Sequence, residues 1–362
     1  MANSSFQIAS TPKLYVSYPL FQYASGALDS YDVTSLSNYD YSTGQKELIQ
    51  LIQLDPSKQI EILPTTESPS DASHLRYRIL PTNDNVTPVL SSGLWNFDYF
   101  MILGHNFGTT GLNWNIYSSH ESGAYYEIQR TNIVNYDGSG AEYDGWSLVE
   151  IENNADDNTR LLHFHLENMY ANTPENTTVK LGSLLWGKSF EFPQNCQMNT
   201  STTFEYGVKQ KSTISGKTIS TANWTKPNNW ITEPFGLTNG EEGDNFQRRT
   251  GRRVWKMSFD SLAPDKVMAQ NMMMNDNNYY PQDNHTQGAA ANSSLYNINN
   301  SPDFFSAVVN RSMGGHLPMV LQLDKNDNSA SNYAIVRMNK NFTVTQKSPL
   351  LFNIKITLTE QI

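Results

Sequence analysis

Short strand-like runs separated by turn-forming residues dominate the chain from about residue 75 to residue 186. The runs are rich in aromatic, β-branched and leucine residues, and Gly, Asn, Asp and Ser fill the gaps. They read HLRYRIL, LWNFDYFMILGHNF, LNWNIYSS, AYYEIQRTNIVNYD, GWSLVEIEN, RLLHFHLENMY and TVKLGSLLWG. Their recurrence every ~10–15 residues favours antiparallel sandwich strands, because an α/β fold would place amphipathic helices between strands. The spacing therefore predicts an all-β fold.

A second β-rich region follows from residue 187 to residue 362. Its strand candidates are KSFEFPQN, TTFEYGVKQKSTISGKTIS, VWKMSF, NYAIVRM and LLFNIKITLT. The second of these predicts a hairpin about Ser215 and Gly216, because glycine suits a tight turn. In the last, alternation predicts one apolar face, formed by Phe352, Ile354, Ile356 and Leu358.

One short helix is predicted near the C-terminus, in SPDFFSAVVNRSMGG. Ser301 is the expected N-cap, followed by Pro302 and Asp303 in the first turn. Gly314 and Gly315 are the expected stop. Before this helix, the Met-, Asn- and Gln-rich stretch 267–300 has no hydrophobic period and many turn formers, and it is predicted to be a long surface loop insertion.

The N-terminal 60 residues differ from the rest and predict an arm. Their few alternating apolar residues, such as Leu14 and Tyr18, are too few to form a core alone. We therefore expect the arm to pack on a neighbouring subunit or on another protein. The predicted division is an arm over 1–60, a first β-sandwich over 61–186 and a second β-rich domain over 187–362.

The composition excludes several classes of protein. Hydrophobic residues make up 38% of the chain and charged residues 17%, with a net charge of −10. Aromatic residues reach 12%, enough to anchor cores and to argue against disorder. No apolar run approaches the ~18 residues of a membrane span, and no signal peptide is visible, so we expect a soluble chain made in the cytoplasm. Cys196 is the only cysteine, which excludes an intrachain disulfide and a cysteine-based metal cage.

Histidines are the first candidates for chemistry. Alternation in RLLHFHLE places His163 and His165 on one strand face, which is half of a metal site or simply a solvated face. His105 follows the apolar run YFMIL, but no G-x-S-x-G turn accompanies it. We interpret His105 as a strand-end histidine that bonds to backbone, and we expect no metal.

Carboxylates that meet across a sandwich would leave no local pattern, so a glycoside hydrolase stays an alternative. The candidates on or near predicted strands are Glu121, Glu127, Asp144, Glu150 and Glu167. Aromatic residues that could stack on sugar rings, or belong to a core instead, are Trp114, Trp146, Tyr125 and Tyr126. No phosphate-binding loop is present. We therefore expect a non-enzymatic protein without a cofactor.

The stretch RRTGRRVWKMSF packs four arginines and a lysine into residues 248–259 of this acidic chain. On a strand, Trp255, Met257 and Phe259 would point into the core. Nucleic-acid binding normally shows a basic domain, which this chain lacks. Arginines at a strand entry are suited to bidentate contacts with carboxylates of a neighbouring subunit. We predict that the assembly interface includes Arg248, Arg249 and Arg252.

Segments covering more than half of the chain carry a resemblance. The C-terminal half contains, in order, GKSFEFPQNCQMNTSTTFEYG, RRTGRRVWKMSFDSL, DFFSAVVNRSMGGHLPMVLQLDKND and YAIVRMNKNFTVTQKSPLLFNIKITLTE. This order resembles the C-terminal half of virion structural proteins from tailed bacteriophages, especially marine ones. Similarly, YFMILGHNFGTTGLNWNIYS resembles a pattern in galactose-binding-like sandwiches of phage tail-tip and fibre proteins.

The resemblance implies a distal-tail or baseplate ring protein, often hexameric, that connects the tail tube to the tip or to receptor-binding proteins. Its expected partners, including the partner of the arm, are copies of itself and other tail proteins, with no nucleic acid and no membrane insertion, and its expected location is the virion tail. One alternative is a tail fibre or tailspike protein that binds or cleaves a host-surface glycan. A second is a neck or capsid decoration protein.

Overall fold

The computed structural model describes residues 10–24, 33–35, 49–56, 58–62, 75–79, 98–111, 113–119, 125–127, 130–135, 141–151, 161–167, 179–222, 251–268, 302–339 and 342–361. Strands, numbered β1 to β21 in chain order, are Lys13–Tyr15, Val33–Ser35, Ile60–Ile62, Leu75–Ile79, Tyr99–His105, Asn113–Ser119, Tyr125–Glu127, Arg130–Val134, Gly145–Ile151, Leu161–Glu167, Val179–Leu181, Ser183–Gly187, Ser189–Glu191, Ser201–Glu205, Lys209–Ser212, Thr218–Thr221, Arg252–Leu262, Met319–Gln322, Tyr333–Met338, Thr343–Ser348 and Leu351–Glu360. Short α-helices are Tyr18–Ala24, Phe107–Thr110 and Pro264–Val267, 3-10 helices are Ile49–Ile52 and Ala330–Asn332, and a π-helix spans Phe305–Asn310.

The described residues are predominantly β-sheet, which confirms the predicted all-β class. Each of the seven runs between residues 75 and 186 contains at least one of the strands β4 to β12. Runs of apolar and β-branched residues bounded by turn formers identify these strands, whether one face or both faces are buried.

The largest sheet has eight antiparallel strands in the order β13-β1-β18-β19-β21-β17-β14, with β20 paired to β21 beside this path. One of its faces forms a core with the π-helix, and Trp255, Met257 and Phe259 are buried there as predicted. The rings of Phe192 and Phe259 stack in this core with centroids 3.8 Å apart. In β21 the predicted apolar face is also confirmed, with Ile354 buried and Phe352 half-buried.

A four-stranded sheet, β12-β5-β9-β8, lies against the other face of the large sheet. Every residue of β5 and β12 is buried. Met101 shares a core with Tyr15 and Val320 of the large sheet. Phe100 faces the opposite way, with its ring centroid 6.2 Å from that of Trp114 on β6. Burial on both faces explains why YFMIL is apolar throughout and does not alternate.

A five-stranded sheet, β2-β4-β10-β6-β7, forms the next layer. Trp114 and Ile116 of β6 are fully buried, and Trp114 packs on Phe100 of the four-stranded sheet. A small pair, β3 and β11, completes this part of the chain. The layers therefore run from the five-stranded sheet through the four-stranded sheet and the eight-stranded sheet to the π-helix.

The N-terminal segment differs from the predicted arm. Strand β1 is hydrogen-bonded between β13 and β18 and is the second strand of the eight-stranded sheet. Leu14 and Tyr15 are fully buried on its two faces, one in each core. Leu51 and Ile52 are also buried. These parts of residues 1–60 belong to the chain's own core, because a short strand with one apolar residue on each face is stable when neighbouring strands supply hydrogen bonds at both of its edges.

The predicted division after residue 186 falls where the chain passes from one sheet to the next. Strand β12 ends at Gly187 in the four-stranded sheet, and β13 begins at Ser189 in the eight-stranded sheet. The two sheets share one apolar cluster, in which Leu185 and Tyr333 are both buried. The sheets therefore pack as layers of a common core.

In the segment of the predicted helix, the structure forms the π-helix Phe305–Asn310. Asp303 Oδ1 accepts a hydrogen bond from Ser306 N at 2.9 Å, and the expected cap Ser301 lies outside the described residues. Gly315 has φ of +90°, and a Cβ there would lie 2.2 Å from Met338 O, so glycine is required at the turn. Of the predicted insertion 267–300, residues 269–300 lie outside the described residues.

Candidate assembly surface

The arginine-rich segment enters the eight-stranded sheet as β17. Arg252 is half-buried, and its register partner on β14 is Glu205. Gly251 has φ of +78°, and a Cβ there would lie 2.9 Å from Glu205 O, so glycine lets the chain enter β17 beside β14. Arg248 and Arg249 lie outside the described residues. The assembly role of these three arginines stays a prediction.

Arg253 binds a carboxylate of its own chain. Its Nε donates to Glu360 Oε2 at 2.9 Å, its Nη2 contacts Glu360 Oε1, and its backbone N donates to Oε2 at 3.0 Å. The guanidinium also lies over the ring of Trp255, 5.0 Å from the centroid, and Nη1 donates to Ser331 O at 3.1 Å. This arginine therefore joins β17, β21 and the turn before β19 within one chain.

One edge of the eight-stranded sheet, beside β17, is formed by exposed residues. Strand β14 is the terminal strand of the eight-stranded sheet in the described residues, and all five of its residues are exposed. The hairpin of β15 and β16 precedes the next undescribed segment, and all eight of its strand residues are exposed. We call residues 198–221 the hairpin extension.

The hairpin extension holds half of the exposed large apolar side chains in the described residues. They are Met198, Phe204, Val208, Ile214 and Ile219. Contact of these side chains with water is unfavourable, and burial against another protein would remove that cost. The extension is therefore the candidate assembly surface.

The hairpin forms as the sequence predicts, about Ser215 and Gly216. Thr213 N donates to Lys217 O at 2.8 Å, and Lys217 N donates to Thr213 Oγ1 at 3.1 Å. Gly216 has φ of +76°, which glycine adopts without steric cost. The turn is closed by its own hydrogen bonds, and an isolated two-stranded hairpin is only marginally stable in water.

The two faces of the hairpin differ in chemistry. Lys209 pairs with Thr221, and Lys211 pairs with Ile219, so these four positions share one face. The other face carries Gln210, Ser212, Thr218 and Ser220. One face therefore carries two lysines on β15 and Ile219 with Thr221 on β16, and the other is neutral and polar.

His105 is part of a buried hydrogen-bond network. Phe107 N donates to its Nδ1 at 3.3 Å, so Nε2 carries the proton and donates to Ser147 Oγ at 2.8 Å. Ser147 Oγ in turn donates to Asn135 O at 3.2 Å. Burial lowers the pKa of His105 to about 3. Since the proton lies on the histidine and Ser147 is fully buried, the pair holds β5 against β9 and offers no activated nucleophile.

The carboxylates named as hydrolase candidates have structural partners where they are described. Asp144 Oδ1 accepts from Thr109 N at 2.8 Å. Glu150 forms an ion pair with Lys13 and accepts from Tyr15 OH at 2.8 Å, which joins β9 to β1. Glu121 lies outside the described residues. Glu127 is the last residue of β7, and Glu167 is the last residue of β10.

The histidine pair of β10 lies across from two arginine positions. His163 pairs with Arg78 of β4, and His165 pairs with Arg76. The described residues contain no group of three His, Cys, Asp or Glu side chains arranged to hold a metal.

Of the aromatic residues considered for stacking on sugar rings, Tyr125 and Tyr126 lie on β7, and the two tryptophans are core residues. Trp114 and Trp146 are fully buried, so they are unavailable for stacking on a sugar. Cys196 is half-buried, and burial raises the pKa of its thiol to about 11. Within the described ranges, no helix has the length and apolar character of a membrane span.

Comparison with known proteins identifies no family and no relative for this chain. No protein-family model matches the chain, and no similar curated protein or solved structure is found.

Proposed function

We propose that this chain is a non-enzymatic structural component of a phage tail, which works by binding neighbouring proteins in a distal-tail or baseplate ring or in a connector to receptor-binding proteins. The observation that carries the proposal is the hairpin extension, which displays apolar and cationic side chains on the exposed edge strand β14 and on the exposed hairpin of β15 and β16. The phage context comes from the resemblance of the sequence to tail proteins.

The exposed apolar side chains supply a driving force for association. Ile214 and Ile219 are each worth about 1.5–3 kcal/mol when fully buried. Phe204 adds an aromatic anchor at the edge of the eight-stranded sheet, on the sheet face of Arg253, its register partner. A few such anchors commonly dominate the energy of an interface.

The layered body provides a rigid base for this surface. Strand β14 is held to β17, and β17 is fixed by the ion pair of Arg253 with Glu360 and by the burial of Trp255. In our proposal, residues 61–186 act as a galactose-binding-like sandwich that completes the body, and residues 187–362 present the hairpin extension. The chain would be synthesised in the host cytoplasm and reside in the virion tail, with copies of itself and other tail proteins as partners.

The glycan-binding alternative requires aromatic side chains on an open face of the first sandwich. Trp114 and Trp146, the tryptophans nominated for this role, are buried instead. Neck and capsid decoration proteins would use the same kind of assembly surface, so their distinction from a tail protein is one of location.

Location in the particle tests the proposal. An averaged electron-microscopy map of virions with the chain labelled by an antibody fragment should show label on the tail. Label on the neck or head would replace the tail assignment with the corresponding alternative. Mature virions without the chain would contradict a structural role.

A further inference from the structure

The four-stranded sheet covers only part of the eight-stranded sheet. On β19, Tyr333 is buried in the core between the two sheets, whereas Arg337, which points the same way along the strand, is exposed. That core takes side chains from β1, β18 and β19, and among the described residues it takes none from β17 or β21. The cover therefore ends between Tyr333 and Arg337.

The register of the strands extends the uncovered surface across β17 and β21. Thr359 of β21 pairs with Arg337 on one side and with Val254 of β17 on the other, so these three residues share a face. Strand β20 joins the same face, because Thr343 pairs with Lys355. Side chains of one face alternate along each strand. Four of the resulting positions are cations, namely Arg252, Lys256, Arg337 and Lys355.

We call this surface the open face. Its three outer cations are exposed, and Arg252 is half-buried. Between the cations the open face carries the hydroxyl groups of Thr343, Thr345, Thr357 and Thr359. Thr359 Oγ1 donates to Asn339 Oδ1 at 3.2 Å. The surface is therefore a flat field of positive charges and hydroxyl groups.

Carboxylates within the described residues leave these cations unpaired. The ion pairs there involve Lys13, Lys58, Arg253, Lys266 and Lys325. Glu205, the register partner of Arg252, and Asp260, at the bulge of β17, border the open face without joining an ion pair. A chain with a net charge of −10 thus keeps a local positive surface here.

The composition of the open face narrows the class of ligand. Val254 is its apolar member and is buried, and the face carries no aromatic residue in the described strands. Protein interfaces are enriched in aromatic residues and depleted in lysine. Single-stranded nucleic acids are held largely by stacking on aromatic rings. A ligand of this face would instead be held by ionic contacts and by hydrogen bonds to hydroxyl groups.

The spacing of the charges narrows the class further. Lys256 and Lys355 are diagonal neighbours on adjacent strands, about 7–8 Å apart. Double-stranded DNA carries one charge per about 1.7 Å of its axis, and an acidic chain repels so dense a polyanion. A polymer with one acidic group on each sugar ring, or on every second ring, spaces its charges more widely. Its sugar hydroxyls can also hydrogen-bond to the threonines.

We propose that the open face binds an acidic polysaccharide. Acidic groups of the polymer would contact the lysines and arginines, and its hydroxyl groups would contact the threonines between them. This binding needs no exposed tryptophan, unlike the stacking on sugar rings considered above. It is a function additional to the proposed assembly role, which uses the hairpin extension.

Two matched variants test the proposal. The face variant combines Lys256→Thr, Arg337→Thr and Lys355→Thr, and threonine is well suited to exposed strand positions. The control combines Lys209→Thr, Lys211→Thr and Lys217→Thr, which removes the same number of positive charges from the exposed hairpin. Titration calorimetry with polygalacturonate at several salt concentrations measures binding. Dextran is the uncharged polymer, and a short DNA duplex is the competing polyanion.

The wild type and the control should bind polygalacturonate, with a dissociation constant that rises with salt, and neither should bind dextran. The face variant should bind polygalacturonate at least about tenfold more weakly, with an unchanged circular dichroism spectrum and melting temperature. If the face variant melts at a lower temperature, the three single substitutions replace it, and each should weaken binding about two- to fivefold.

Three results would overturn the proposal. They are the absence of polygalacturonate binding by the wild type, an equal loss of binding in the two variants, and tighter binding of the DNA duplex than of polygalacturonate. The last result would assign the open face to nucleic acid. Because the control alters the hairpin and leaves the open face intact, its association and its polysaccharide binding report separately on the assembly role and on this inference.

Discussion

Arg253 and Glu360 form a two-pronged ion pair between the start of β17 and the end of β21. The side chain of Arg253 is 17% exposed and that of Glu360 is 6% exposed, so both charges are largely removed from water. Each of the two carboxylate oxygens receives a hydrogen bond from the guanidinium. The pair fixes the strand from which the assembly surface extends.

Replacing Arg253 with Ala should therefore destabilise the fold. The change leaves the buried carboxylate of Glu360 without its cation, and the expected loss in unfolding free energy is about 3 kcal/mol. Arg253→Lys should recover only part of this loss, because an ammonium group cannot reproduce the two-pronged geometry. Urea unfolding of both variants measures the effect. Arg252→Ala is the matched control and should change stability by less than about 0.5 kcal/mol; an equal loss in both variants would contradict a special role for Arg253.

The two classes of isoleucine should respond differently to substitution. Ile214→Ser and Ile219→Ser remove exposed side chains, so the melting temperature should stay unchanged while association weakens. Ile356→Ala removes a side chain that is buried in the core between the eight-stranded sheet and the π-helix and should cost about 2–5 kcal/mol. Calorimetry paired with light scattering separates the two effects. Loss of folding in the hairpin variants would place these residues in the core.

The fold should depend on pH through His105. The unfolded chain binds a proton at this imidazole below about pH 6.5, whereas burial lowers its pKa in the folded protein to about 3. The stability linked to neutral His105 is therefore present above pH 6.5 and is lost as the pH falls toward 3, at up to about 1.4 kcal/mol per pH unit. Between pH 6.5 and pH 5 the wild type should lose about 2 kcal/mol more than His105→Gln. Urea unfolding of both proteins at several pH values in that range measures the difference. An equal dependence of the unfolding free energy on pH in the two proteins would refute the prediction.

The N-terminal segment should be required for folding. Deleting residues 1–20 removes β1, which pairs with β13 and β18 and contributes Leu14 and Tyr15 to two cores. We expect loss of cooperative unfolding in the truncated protein. Leu14→Ala provides a milder test and should cost about 2–5 kcal/mol. A truncated protein with native circular dichroism and a native melting temperature would restore the interpretation of this segment as an arm.

Local patterns in the sequence predict most of the β-structure. The alternation in Phe352–Leu358 and the trio Trp255, Met257 and Phe259 each identify a buried face, and Ser215–Gly216 identifies a turn. Each of these features depends on residues close together in the chain. The partners of a strand depend on distant residues, so the position of β1 between β13 and β18 could not be read from Leu14 and its neighbours.

The candidate site was predictable only in part. The arginine stretch indicated assembly, but the difference between Arg252 and Arg253 depends on where Glu360 ends β21. The turn identified the hairpin in the sequence, but its exposure was not predicted. One signal was present: β15 and β16 contain a single large apolar residue, Ile219, which is too little to pack on a core.

Amide hydrogen exchange in the hairpin tests directly whether this surface is covered on assembly. In dilute monomeric protein, the amides of residues 209–221 should exchange rapidly, because both hairpin strands are exposed to water. In the assembled state the same amides should exchange at least about tenfold more slowly, while those of β5, already buried, stay unchanged. Equal exchange of the hairpin amides in the two states would contradict assembly through the hairpin extension.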